Sequence, residues 1–221
     1  MSFRDRGMTY EDRTDAGLHL ADRLEGLSLH EPVVLALPRG GVPVAYEVAR
    51  RLGCPLDVVV ARKLGAPFQP ELGIGAVAEG GEPIYDETMV RQLDLDEAAL
   101  DELLARERAE LERRIAHYRG DRPLPDLTGR DVVVVDDGLA TGVTARAALR
   151  ALRRHHPRRL LLAVPVGAPA SVTALAADAD EVICLHAPRS FTAVGQWYRD
   201  FDQTDDATVV DLLRRAGGQP G

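Results

Sequence analysis

The apolar positions of the chain switch repeatedly between two periods. EDRTDAGLHLADRLEGL, at 11–27, places Ala and Leu residues at helical spacing, and VVLAL at 33–37 is a continuous apolar run of strand length. A PRGG turn at 38–41 leads into VPVAYEVARRL (42–52), which predicts a helix closed by Gly53, and LDVVVARK (56–63) predicts a second strand. The alternation resumes with VVVV (132–135), a helix through ARAALRAL, RLLLAVPV (159–166), a helix through ASVTALAAD, and EVICL (181–185). Strands that are apolar on both faces and separated by helices make a parallel sheet covered on both sides. The expected fold class is therefore α/β, with a single domain over 1–221.

Between the two halves the pattern changes. GAPFQPELGIGAVAEGGEPIYD (65–86) is rich in Gly and Pro, with short strand-like pieces, and LDEAALDELLARERAELERRIAHYR (95–119) is a long, charged amphipathic helix. Residues 64 to about 130 read as an inserted flap. No internal repeat or low-complexity tract interrupts the chain.

Composition narrows the functions open to this fold. With 45% hydrophobic and 28% charged residues, the chain reads as soluble and globular. The best candidate for a membrane span, LLLAVPVGAPA, is broken by Pro165, Gly167 and Pro169, and MSFRDRGMTYEDR has no apolar signal-peptide core. Cys54 and Cys184 lack metal or disulfide spacing and read as packed thiols in a reducing cytoplasm, and the histidines show no metal spacing. A formal net charge of -8 argues against nucleic acid as a partner. The basic run RRHHPRR (153–159) suits a helix C-terminus with a solvated face.

The chemistry concentrates at VVVVDDGLATGVT (132–144). Asp136 and Asp137 stand side by side at the end of an apolar strand, where each raises the cost of ionising the other. In an open parallel sheet, ligands bind at the carboxyl ends of the strands. The DGLATGVT loop sits at that edge and runs into a helix N-terminus, a natural phosphate cradle, with Thr141 and Thr144 as hydroxyl donors. A sugar phosphate satisfies both parts: its phosphate lies in the loop and its diol donates to the carboxylates. Other phosphate motifs fail. No Walker loop occurs, and Gly73-Ile-Gly75-Ala-Val-Ala78 neither follows a predicted strand nor opens a helix. An acidic pair in a response-regulator receiver would follow the first strand, not the third.

VVVVDDGLATGVT resembles the signature of the type I phosphoribosyltransferases, which bind 5-phosphoribosyl 1-pyrophosphate (PRPP). PRGG at 38–41 is similar to that family's pyrophosphate loop, Lys63 lies where many members keep a basic residue before a mobile flap, and FTAVGQWYRDF (191–201) is similar to the hood that holds the base. The resemblance implies a parallel-sheet fold with an inserted flap and a C-terminal hood at about 186–205. The implied reaction is displacement of pyrophosphate from C1 of the ribose by a nitrogen nucleophile, with cationic character at the sugar. Asp136, Asp137 and Lys63 would then be catalytic. Ala140, Thr141, Gly142, Val143 and Thr144 would hold the 5′-phosphate, and Arg39, Gly40 and Gly41 the pyrophosphate. Phe191, Trp197 and Arg199 would form the base-side hood.

The same resemblance implies Mg²⁺ carried by substrate oxygens, with Asp136 and Asp137 as its protein ligands, a non-proline cis peptide at Pro38-Arg39, and a homodimer. Partners would be PRPP and a small-molecule base, with neither nucleic acid nor membrane. The base itself stays open. Ala140 stands where 6-oxopurine enzymes carry an acidic residue, so the loop looks like the adenine or orotate branches, whereas the hood looks like the 6-oxopurine branch. Glu71 and Glu79 are flap carboxylates that could serve as a base. A PRPP-sensing module that keeps the fold without turnover is the alternative function.

Overall fold

The structure is a computed structural model that describes residues 9–217; the opening residues read above for a signal peptide lie largely outside that range. α1 (Arg13–Glu25) begins where the Asp12 side chain accepts the Asp15 N–H, and it buries Ala16, Leu20, Ala21 and Leu24. β1 (Val33–Ala36) is buried throughout and leads to α2 (Gly41–Leu52), which Gly53 closes in the left-handed conformation at φ 60°. β2 (Leu56–Val58) is followed by β3 (Ala61–Ala66), β4 (Gln69–Ala78) and β5 (Ile84–Tyr85). α3 (Glu87–Gln92) and α4 (Glu97–Arg119) come next, then β6 (Asp131–Val135) and α5 (Val143–Arg153). β7 (Arg159–Val166), α6 (Pro169–Leu175), β8 (Glu181–His186) and α7 (Asp206–Gly217) complete the order.

β2, β1, β6, β7 and β8 form one sheet in that order, and every pairing in it is parallel. The register sets Val33–Ala36 against Val132–Val135. Because side chains alternate across a strand, each apolar run feeds two cores. Val34, Ala36, Val133, Val135, Leu161 and Ala163 face α1, α2, α4 and α7, while Val33, Leu35, Val132, Val134, Leu160 and Leu162 face the α5 side. Each such Val or Leu contributes roughly 1.5–3 kcal/mol by burial. The predicted α/β parallel-sheet class therefore holds. Among the described residues no helix is long and apolar enough to cross a membrane.

Three expectations are corrected. The second predicted strand does not run to Lys63. Val59 N–H still donates to the β1 carbonyl of Ala36, but the Val60 carbonyl accepts the Glu79 N–H, so the chain changes sheets between these two residues. VVV at 58–60 is buried on either side of that change, and apolar continuity could not reveal it. Lys63 consequently sits within β3, in the antiparallel sheet β3-β4-β5.

The flap is also smaller than 64–130 suggested. It is the three-stranded sheet beginning at Ala61, whereas α4 belongs to the body: Leu103, Leu111 and Tyr118 join the same core as Val34 and Val133. Arg119 ends α4 inside a buried ion cluster, donating to both Glu79 oxygens at 2.6 Å and to the Val58 carbonyl at 3.2 Å, with Asp57 at 3.5 Å. That cluster pins the root of the flap, and it engages Glu79, one of the two carboxylates considered as a base. The basic run at 153–159 is not simply solvated either, since Arg158 binds the fully buried Asp131.

Candidate active site

The two predicted loops meet at the carboxyl ends of β1 and β6. The Pro38-Arg39 peptide is cis, and Gly40 and Gly41 lie against the acidic pair. A Cβ on Gly40 would lie 2.0 Å from Asp137 Oδ2, and one on Gly41 would lie 2.7 Å from the Val135 carbonyl oxygen. Only glycine permits this approach. The PRGG and DD motifs, 95 or so residues apart in the chain, are thus two walls of one site, since Gly40 and Asp137 are in contact.

The carboxylates are incompletely compensated. Asp136 Oδ1 accepts the Asp137 N–H at 2.9 Å. Burial lifts the Asp136 carboxyl well above the ordinary carboxylate range, and the charge of Asp137 pushes the same way. Burial also raises Asp137, with Arg13 pulling it back. Arg13 Nε donates to Asp137 Oδ2 at 2.8 Å, and Tyr198 Oη donates to the Asp137 carbonyl at 2.5 Å. The sequence reading missed both partners. Arg13 is one arginine among many at the start of an ordinary amphipathic helix, and nothing in its surroundings marks it.

The loop after the acidic pair is fastened from the β7 side. Leu139 N–H donates to the Val166 carbonyl at 2.9 Å, and Ala168 N–H donates to the Leu139 carbonyl at 2.8 Å. Ser171 Oγ donates to the Ala140 carbonyl at 2.5 Å. Gly142 adopts φ 73° at the start of α5 and supplies no capping side chain, so the first amides of α5 are free for an anion. Thr141, Val143 and Arg146 face Lys63, Glu71, Gly75, Tyr85 and other flap residues across a cavity of ≈ 540 Å³. Thr144 and Lys63 share a second cavity of ≈ 350 Å³. The flap therefore roofs the loop, and the Lys63 cation acts on Asp136 to lower its carboxyl.

The remaining predicted residues are placed less uniformly. Arg39 points toward α7, where Nη1 lies 3.9 Å from Asp206 Oδ1. Phe191 and Trp197 pack in the hood around Tyr10, Val166 and Tyr198. The Trp197 ring meets His186 edge-on at 4.8 Å, and both Trp197 Nε1 and His186 Nε2 are buried without a hydrogen-bond partner among the described residues. Arg199 is exposed and pairs with Glu11, apart from the side chains gathered around Asp137. The hood covers the acidic loop directly, since a Cβ on Gly138 would lie 2.4 Å from Val194 Cγ1.

Comparison with known proteins shows the family. The sequence model of the phosphoribosyl transferase domain matches residues 16–201, and the chain belongs to that family. It is 52% identical over 207 residues to the Mycobacterium tuberculosis protein named "Putative phosphoribosyl transferase Rv0571c", covering 94% of this chain and 47% of that protein. The chain spans about half the length of the curated relatives it matches. The crystal structure of TT1426 from Thermus thermophilus superposes with a TM-score of 0.80 at 48% identity, covering 94% of this chain and 99% of that one. AQ2163 from Aquifex aeolicus shares the fold at a TM-score of 0.50 and 15% identity, over 91% of this chain and 84% of that one.

Proposed function

We propose that the protein transfers the 5-phosphoribosyl group of PRPP to a nitrogen nucleophile, a nucleobase or similar small molecule, with release of pyrophosphate. The observation that carries this reading is the contact between Gly40 and Asp137, which brings the PRGG loop and the acidic pair together at one edge of the sheet. The open amides at the start of α5 add the second anion site that a 5′-phosphate needs.

In this reading Asp136 and Asp137 accept the ribose hydroxyls. Their negative charge favours the cationic sugar as the C1–oxygen bond to pyrophosphate breaks and the C1–nitrogen bond forms. The nucleophile passes its proton to a base, for which Glu71 in the flap is the candidate, and the electron pair of the broken bond leaves with pyrophosphate. Thr141 and the α5 amides hold the 5′-phosphate, Gly40 and Gly41 the pyrophosphate, and Lys63 supplies positive charge from the flap. Arg39 reaches the leaving group by releasing Asp206. Glu71 lines the roofed cavity and is free of the ion cluster that engages Glu79.

Mg²⁺ fits this donor set. Among the described residues no cluster of three or more His, Cys, Asp and Glu side chains is built to hold a metal. Asp136 and Asp137 are oxygen donors at the edge of a phosphate site, which suits a hard cation that takes most of its ligands from substrate and water. Held there by Asp136 and Asp137, such an ion would supply positive charge to the leaving pyrophosphate.

The test is pyrophosphate release from PRPP and Mg²⁺ across purine, pyrimidine and pyridine bases. Release with one of them is expected. PRPP binding without release for any base would identify a PRPP-sensing module instead, and absence of PRPP binding would overturn both readings.

A further inference from the structure

Arg13 makes three contacts that reach two different parts of the molecule, the acidic pair and the hood. Its Nε donates to Asp137 Oδ2 at 2.8 Å, and its Nη1 donates to the hood carbonyl of Asp202 at 2.7 Å. Its guanidinium carbon stacks 3.9 Å above the centre of the Phe201 ring. Nε also lies 3.2 Å from where a Gly40 Cβ would stand, so the same group borders the PRGG loop. The side chain is only 12% exposed, and it projects from the first residue of α1, which Asp12 caps and the core immobilises.

The hood side of this junction is continuous. Phe201 stacks on Tyr198 at 5.0 Å, Tyr198 lies 5.5 Å from Tyr10, and a Cβ on Gly195 would lie 2.8 Å from Phe201. Tyr198 returns to the acidic pair through its hydrogen bond to the Asp137 carbonyl. The Trp197 carbonyl accepts the Tyr10 N–H at 2.9 Å. A planar guanidinium can hold a carboxylate and a backbone carbonyl at once, whereas an ammonium acts as a single point charge.

We infer that Arg13 is a positioning residue that couples the acidic pair to the hood, so that a ligand engaging Asp137 is felt at Trp197. The inference rests on the phosphoribosyl reading of the site. Arg13 touches neither the reacting carbon nor the leaving group. It fixes the direction of the Asp137 carboxylate and, through Asp202 and Phe201, the position of the hood above it. Without Arg13, Asp137 would stay partly buried beside Asp136 and lose the one charged side-chain partner it has among the described residues.

The single tryptophan makes the coupling observable. PRPP with MgCl₂ should shift Trp197 emission in the wild-type protein. Arg13→Met, once shown by circular dichroism to be folded, should lose that shift and bind PRPP about tenfold or more weakly, the loss of one charge-assisted hydrogen bond. Arg13→Lys retains the charge beside Asp137 without the second arm. It should bind PRPP within about threefold of wild type and still lose the emission shift. A purely structural arginine would lower the melting temperature of both variants and leave the shift intact in whatever fraction folds. A wild-type emission shift in either folded variant overturns the inference. Calorimetry separates the two levels of failure: wild-type PRPP binding without an emission shift removes the coupling alone, and no binding removes the functional reading and the coupling together.

Discussion

β6 starts on a buried carboxylate and runs into a partly buried pair of them, and only the first end is balanced. At its start, Asp131 is fully buried and receives Arg158 through two hydrogen bonds of 2.9 and 2.5 Å, together with the His30 N–H at 2.9 Å. At its finish, among the described residues, Asp136 accepts one amide and Asp137 the guanidinium of Arg13. Both of these carboxyls are lifted by burial, and Asp136 is lifted further by its neighbour. A carboxylate that holds a fold together is supplied with its own donors. The acidic pair has fewer of them, and hydroxyl groups or a cation from a ligand would complete it.

The sharpest way to break this contrast is to neutralise the uncompensated end. Asp136→Asn keeps size and removes charge, and PRPP-dependent pyrophosphate release should fall about 10²–10³-fold, the usual scale for one transition-state electrostatic contact. Steady-state assays at saturating base measure it. The opposite end should respond the other way. Asp131→Asn leaves Arg158 without its carboxylate and should destabilise the fold by roughly 2–3 kcal/mol, below the about 3–5 kcal/mol of a fully buried pair because Arg158 is 45% exposed. Urea melts would show that loss, and PRPP affinity in the folded variant should be unchanged.

Much of this contrast was legible in the chain before its fold. Five strands apolar on both faces predicted a parallel sheet, and the DD and PRGG motifs marked the two loops that come together. Most of the parts that were not legible share a physical cause: they depend on a partner distant in sequence. Lys63 moved to the flap because hydrogen bonding changes sheets between Val59 and Val60 within one unbroken apolar run. α7 went unpredicted, although Asp205 caps its start by accepting the Thr208 N–H and Val209 and Leu213 supply its buried face. α4 looked like part of a lid because its buried Leu103, Leu111 and Tyr118 are spread through a highly charged helix. Arg13 carries no local signal at all.

Smaller effects sharpen the comparison further. Trp197→Ala should leave PRPP affinity nearly intact and raise the apparent KM for the nucleophile about 2–10-fold, since only a stacking contact of about 0.5–1.5 kcal/mol is removed. Equal losses for PRPP and nucleophile would place Trp197 outside the base side of the site. The smallest effect is on stability. The Asp136 carboxyl is raised in the folded protein, so between the ordinary carboxylate value and the raised one the folded state binds more protons than the unfolded state. Stability of the ligand-free protein should therefore fall as pH rises through that window. Asp136→Asn should remove that part of the slope, giving a variant at least as stable as wild type above it despite its lost activity. Parallel pH-dependent melts of the two proteins check the sign.

The central claim is that the unbalanced end of β6 binds the phosphoribosyl ligand. Titration calorimetry of PRPP and MgCl₂ into wild type and Asp137→Asn tests it most directly. Saturable wild-type binding, weakened at least about tenfold in the folded variant, is the predicted result. Equal binding by both proteins, or none by wild type, would contradict it.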